Sequence, residues 1–188
     1  MISVLRLPFE FDAESLKGDL QNFAPEDWTP HFNTQNYEGD WSGIALRATE
    51  GAHVQLYPDP TATGFEDTEM LSRCTYIPAV LKAFECELET VRFLRLGAGA
   101  TIREHRDYKL GFEDGIARVH IPVKTNSQVE FFLNRKRVEM QEGEAWYLNF
   151  NLHHSVKNNS DEDRVHLVVD CIVNDWLREF FPIDHRIE

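Results

Sequence analysis

His105 and Asp107 stand one residue apart in VRFLRLGAGATIREHRD (91–107), and His153 adjoins His154 in WYLNFNLHHSVKN (146–158). On an extended strand, side chains two positions apart leave the same face, so His105 and Asp107 present an imidazole and a carboxylate together. Two histidines and one carboxylate on one side of a metal octahedron leave three positions open, the ligand set of non-haem Fe(II) oxygenases. The second histidine must come from the later pair. Leu152 and His154 share parity, which favours His154 over His153.

Two further strands carry charge at matched positions. Arg118 and His120 leave one face of IARVHIPV (116–123), and Arg164, His166 and Asp170 leave one face of RVHLVVDCI (164–172). If those faces line one cavity, the fixed donor fork of an arginine can hold one end of a dicarboxylate while a metal holds the other. The alternative is that Arg118 and Arg164 are solvated or form ion pairs, for example with Glu162 or Asp163. His31 and His53 stand alone in polar surroundings, where surface or hydrogen-bonding roles are expected. Asn149 and Asn158 are expected to satisfy loop backbone groups. Trp41, Phe131, Phe132, Trp146 and Tyr147 sit at strand spacing and are expected mainly to pack sheet layers.

The chain has 188 residues, 42% of them hydrophobic, which suits one domain with a substantial core over 1–188. Against 19 Lys and Arg stand 32 Asp and Glu, a formal charge of −13. That balance argues against a nucleic-acid partner, whose phosphates call for clustered Lys and Arg. Cys74, Cys86 and Cys171 are odd in number and widely spaced. Reduced structural thiols in a cytoplasmic protein are expected. The opening MISVLRLPFEFDAES is broken by Arg6 and Glu10 and fits neither a signal peptide nor a membrane span.

The elements that must position these groups can be read from periodicity. ISVLRLPF reads as an edge strand limited by Pro8, and Asp12 or Ser15 caps a helix carrying Leu16, Leu20 and Phe23. GDWSGIALRA reads as a strand, 57–67 as a turn-rich connection, and 76–84 as a short helix begun at Pro78 that covers a sheet. From Thr90 onward strands and turns dominate. Phe93 and Arg95 oppose Leu94 and Leu96, Gly97-Ala98-Gly99 permits a bend, and Thr101, Arg103, His105 and Asp107 share a parity. Pro122 suggests an edge position or a strand end. Asn134-Arg135-Lys136 reads as a hairpin turn, Glu142-Gly143-Glu144 as another turn, 145–149 as a strand, and 175–181 as a helix. Short strands behind a partly helical N-terminus favour a mainly β, double-sheet jelly roll with N-terminal and C-terminal covering helices.

The ordered segments RFLRLGAGATIREHRD (92–107), ARVHIPV (117–123), GEAWYLNFNLHHSVKN (143–158) and DRVHLVVD (163–170) resemble the aspartyl/asparaginyl β-hydroxylase family, including its small bacterial and proline-hydroxylase-like members. The resemblance covers much of 90–174, the expected catalytic β core. It implies a double-stranded β-helix of the cupin-like class with Fe(II) as metal and 2-oxoglutarate and O2 as cosubstrates. His105, Asp107 and His154 match its metal ligands, and Arg164 matches the arginine that holds the distal carboxylate of 2-oxoglutarate. Arg118 and His120 match positions that bind or orient the cosubstrate near the metal.

The implied reaction hydroxylates an amino-acid-type substrate and forms succinate and CO2. A free or carrier-linked amino acid is the expected substrate. A peptide or protein aspartyl or asparaginyl residue is the alternative within the family. Outside it stand a cupin-like metal enzyme using Zn2+ or Mn2+ without 2-oxoglutarate, and a noncatalytic jelly-roll binding protein. No membrane partner is expected.

Overall fold

The computed structural model describes residues 1–56 and 64–182. The N-terminal third holds β1 (Val4–Glu10), α1 (Ala13–Leu20), β2 (Thr29–Pro30), β3 (Tyr37–Glu38) and β4 (Trp41–Thr49). After β5 (Phe65–Asp67) and α2 (Ile77–Lys82) come β6 (Leu88–Leu96), β7 (Thr101–His105), β8 (Ile116–Lys124) and β9 (Val129–Leu133). The chain continues through β10 (Lys136–Arg137), β11 (Glu144–Leu148), β12 (His154–Asn158), β13 (Arg164–Ile172) and α3 (Asp175–Arg178). Of the connection expected over 57–67, residues 57–63 lie outside the described residues and 65–67 form β5.

The strands make two antiparallel sheets. The larger runs β1-β11-β8-β13-β6-β4-β2, with β5 beside β4, and the smaller runs β10-β9-β12-β7-β3. One face of the larger sheet carries Val91, Phe93, Val119, Ile121, Leu167 and Val169 into an outer core with Leu16 of α1, Ile77 and Val80 of α2, and Leu177 of α3. The three helices therefore cover that face, and each large aliphatic side chain buried there contributes about 1.5–3 kcal/mol. The opposite face meets the smaller sheet: Trp41, Leu96 and Leu148 pack with Ile102, Phe131, Leu133 and Val156. This is the double-sheet jelly roll, with its polar groups on the inward face.

Local chemistry explains the joints. Asp12 caps α1 by accepting from the Ser15 N–H at 2.6 Å. Asn134 and Arg135 both take positive φ, 48° and 63°, the geometry of a two-residue hairpin turn between β9 and β10. Asn158 donates to the carbonyls of Leu96, Gly97 and Glu162, the backbone role expected of it. The strand β1 is an edge, as its composition suggests, but Pro8 lies within it, where the pairing with β11 is irregular.

Pro122 departs from expectation. It belongs to β8, an interior strand between β11 and β13. Pairing with β11 is confined to Val119 and His120, and the register with β13 shifts between Val165 and His166, opposite Pro122 to Lys124. The missing N–H thus falls where the ladders are irregular or have ended.

Candidate metal centre

Strand β12 lies between β7 and β9 in the smaller sheet, and it sets His154 directly across from His105. Two pairs farther along, Val156 faces Ile102, so β7 holds an extra residue at Arg103-Glu104. This bulge breaks the simple alternation. Ile102 and His105 both face inward although three positions apart, and Arg103 is exposed, so His105 does not share a face with Thr101 and Arg103 as strict parity expects. The Asp107 N–H donates to the Phe150 carbonyl at 2.9 Å, which holds the carboxylate beside the two rings.

One ligand atom from each of His105, Asp107 and His154 lies within 4.8 Å of the others. The His105 Nδ1 is 2.8 Å from the Arg103 carbonyl, and the His154 Nδ1 is 3.0 Å from the Leu152 carbonyl. A carbonyl only accepts, so both Nδ1 atoms carry protons and both Nε2 lone pairs are left for a metal. The His105 Nε2 is 3.7 Å from Asp107 Oδ1. Burial holds the His154 imidazolium down to about 4, keeping the ring neutral, as a metal ligand must be. The donor set fits a divalent metal.

Arg118 is placed differently from a free anion clamp. Its Nε and Nη2 donate to Asp170 at 2.7 and 2.9 Å, and its Nη1 reaches Asp107 at 3.3 Å. Asp170 is fully buried and also accepts from Thr90 at 2.6 Å and from Arg92 at 2.9 Å. Burial alone would raise its carboxyl, but Arg118 and Arg92, with the hydrogen bonds, hold it well below the usual carboxylate range. Arg118 therefore connects a structural ion cluster to a metal-site carboxylate. The ion pairing foreseen for it involves Asp170 and Asp107, not Glu162 or Asp163.

Arg164 has the opposite character. It is 2% exposed, its Nε has no hydrogen-bond partner among the described residues, and its Nη2 donates to His166 Nδ1 at 2.9 Å. Burial without a carboxylate partner lowers it to about 9. Because arginine only donates, His166 Nδ1 accepts. The His120 Nδ1, 3.2 Å from the same atom, must then carry a proton. That leaves His120 Nε2 a lone pair, buried and unpartnered among the described residues. An unpaired buried guanidinium costs several kcal/mol, and a carboxylate ligand would offset this. These residues fit an organic anion.

Phe150 joins the two regions. Its ring centroid is 4.6 Å from that of His154 and 5.1 Å from that of His120. A cleft of about 530 Å³ reaches His105, Asp107, Arg118, Arg92, Trp41 and Glu89. Another cavity, of about 490 Å³, reaches Arg164 and His166 past Phe131 and Met140. His31 is not a surface residue: it is 5% exposed and stacked on Trp41 with centroids 3.3 Å apart, in the wall of the metal cleft. His53 is exposed, 3.5 Å from Glu69.

The pattern alone misses Arg92, Thr90, Phe150 and the role of Asp170. One signal was available: Arg92 and Asp170 carry opposite charges, and each is flanked on both sides by apolar residues, Val91 and Phe93 in one strand and Val169 and Cys171 in the other.

Residues 10–173 match the profile of the family described as Aspartyl/Asparaginyl beta-hydroxylase. The L-proline cis-4-hydroxylase of Rhizobium meliloti (strain 1021) is 25% identical over 163 residues, covering 86% of this chain. The chain spans 58% of that relative's length. Among solved structures, an oxidoreductase of the 2OG-Fe(II) oxygenase family from Burkholderia pseudomallei superposes with a TM-score of 0.57 at 15% identity, over 90% of this chain and 85% of that one. A prolyl-4-hydroxylase from Pseudomonas putida gives 0.54 at 13% identity, over 92% and 93%. The two structures share the fold. The family match runs from the end of β1 to the residue after β13, through every strand that carries the site, and the chain belongs to the aspartyl/asparaginyl β-hydroxylase family.

Proposed function

We propose that this chain is an Fe(II)- and 2-oxoglutarate-dependent dioxygenase that hydroxylates a free or carrier-linked amino acid or derivative, releasing succinate and CO2. Residues 1–188 form one dioxygenase domain in this reading, with the catalytic core over 90–174. The observation that carries it is the combination of a converging two-histidine, one-carboxylate site with a buried Arg164 that has no carboxylate partner among the described residues.

His105, Asp107 and His154 would hold Fe(II), each histidine through Nε2. Arg164 would hold the distal carboxylate of 2-oxoglutarate, its orientation set by His166. Arg118 fixes Asp107 and adds positive charge beside the metal, and His120, its tautomer set by His166, shapes the wall toward Arg164. Bound together, Fe(II) and 2-oxoglutarate supply the O2-dependent decarboxylation and the oxidation of a C–H bond. The chain supplies position and a site walled by Trp41, His31 and Phe150, which limits water around the reacting groups. Family membership and the proline-hydroxylating relative support an amino-acid substrate. The free thiols of Cys74, Cys86 and Cys171 fit a reducing compartment, and a cytoplasmic location is part of the proposal.

Incubation of the Fe(II)-loaded protein with 2-oxoglutarate, O2 and a panel of amino acids tests the reading. One substrate is expected to give succinate and an oxygenated product in equal amounts, with D107A losing that coupling. Succinate released only with peptides would move the substrate to a protein side chain. No succinate with any amino acid or peptide, or normal coupling and iron affinity in D107A, would contradict the proposal.

A further inference from the structure

Strand β6 carries an extra residue where it passes Asp170. Val91 pairs with Val169 and Leu88 with Cys171, so Glu89 and Thr90 together face one residue. Val91 lies in the outer core and Leu88 packs against it, although the two are three positions apart. The bulge absorbs the difference and frees the residues within it from alternation. Thr90 turns inward, donating to Asp170. Glu89 lines the metal cleft with Arg92, Arg118, His105 and Asp107.

The carboxylate of Glu89 makes no hydrogen bond or ion pair among the described residues. The two arginines on its wall are engaged by Asp170. Burial, and then the charge of Asp170, push the Glu89 carboxyl up from its ordinary value, and the weaker opposing pull of Arg118 and Arg92 does not cancel this. A half-buried carboxylate with neither a partner nor full hydration is unfavourable, and a cation placed against it would relieve this. A backbone irregularity that aims such a group into the cleft holding the metal site points to a ligand rather than to packing.

We infer that Glu89 receives the positively charged amino nitrogen of the substrate, so that the enzyme takes amino acids with a free amine and rejects residues internal to a peptide. This rests on the hydroxylase reading and narrows it, since a residue within a peptide offers a neutral amide nitrogen at that point. A carrier-linked amino acid with a free amine remains a substrate of this class.

The test reads binding. The full chain is loaded with Fe(II) and 2-oxoglutarate under nitrogen. L-proline, L-aspartate and L-asparagine, each beside its N-acetyl form, are titrated calorimetrically into wild type, E89Q and E89D. At least one free amino acid is expected to bind wild type at least about 30-fold more tightly than its N-acetyl form, as for a buried charge pair with one partner removed. E89Q is expected to lose that preference and E89D to keep part of it, while the absorption band of bound 2-oxoglutarate is unchanged in all three.

Equal binding of free and N-acetyl forms, no binding of any of the three free amino acids, or a wild-type preference in E89Q would overturn the inference. If E89Q does not fold, the wild-type comparison and E89D decide. A band that forms without the preference sinks the Glu89 assignment alone, whereas a band that never forms sinks the hydroxylase reading beneath it.

Discussion

Asp170 is the residue on which the geometry of the site depends, although it touches none of His105, Asp107 and His154, nor the cleft. Its carboxylate gathers Arg92, Arg118 and Thr90, and Arg118 in turn reaches Asp107. D170N removes the anion that two buried guanidinium groups share, and should destabilise the protein by about 3–5 kcal/mol in urea unfolding while weakening Fe(II) binding. Unchanged stability would show that the cluster is dispensable. R164M should behave in the opposite way. The guanidinium there has no carboxylate partner among the described residues, so the apoprotein is expected to be as stable as wild type or more so, while 2-oxoglutarate affinity falls about 100-fold or more. Equilibrium unfolding and calorimetry on the same variant separate the two effects.

At this scale the convergence of His105, Asp107 and His154 was legible, because their residue types and spacing are those a metal site would require. The partner of Arg118 is not, because Asp170 lies 52 positions away and meets it only through the register of β8 with β13.

Strand alternation predicts the inward faces of β8 and β13 well, since both keep regular pairing through Arg118, His120, His166 and Asp170. It fails at Arg103-Glu104 and at Glu89-Thr90, where a bulge shifts the face taken by the next residues, and no residue type in either segment announces the extra position. Pro122 misleads for a related reason: a proline reports a missing N–H, and an irregular ladder tolerates one inside a sheet as well as at its edge. Turns were more legible. Gly143 takes φ 83°, and an added Cβ would meet the Phe11 carbonyl oxygen at 2.2 Å, a backbone atom that already lies beside the Phe11 N–H to Gly143 bond. G143A should therefore separate β1 from β11 and cost more than about 2 kcal/mol, read as a lowered Tm. A Tm equal to wild type would show that this joint yields freely.

Across the whole molecule, the inner face concentrates histidines that burial keeps neutral. His154 is held down to about 4 and His31 to about 3, and His120 and His166 are shifted the same way, all chiefly by burial. An unfolded histidine titrates near about 6.5, so below that pH the unfolded chain binds more protons than the folded one. Stability of the metal-free protein is thus full above about pH 7 and falls as pH drops from there toward about 4. His154 and His31 each account for about 2 kcal/mol by pH 5. Urea midpoints at about pH 7.5 and about pH 5 measure this, and equal midpoints would contradict the burial of the neutral rings. The jelly roll and its helical cover were legible from short strands and amphipathic helices, and α1, α2 and α3 all bury their apolar residues on the larger sheet. Among the described residues no helix is long and apolar enough to cross a membrane.

The most direct measurement is an anaerobic titration of the apoprotein with Fe(II) and then 2-oxoglutarate, monitored by the visible absorption of a chelated 2-oxo acid. A saturable band is predicted for wild type, absent from H154A because the metal is lost and absent from R164M although Fe(II) still binds. A folded, iron-loaded wild-type protein that develops no band at saturating 2-oxoglutarate would contradict the assignment of Arg164 and, with it, the dioxygenase function.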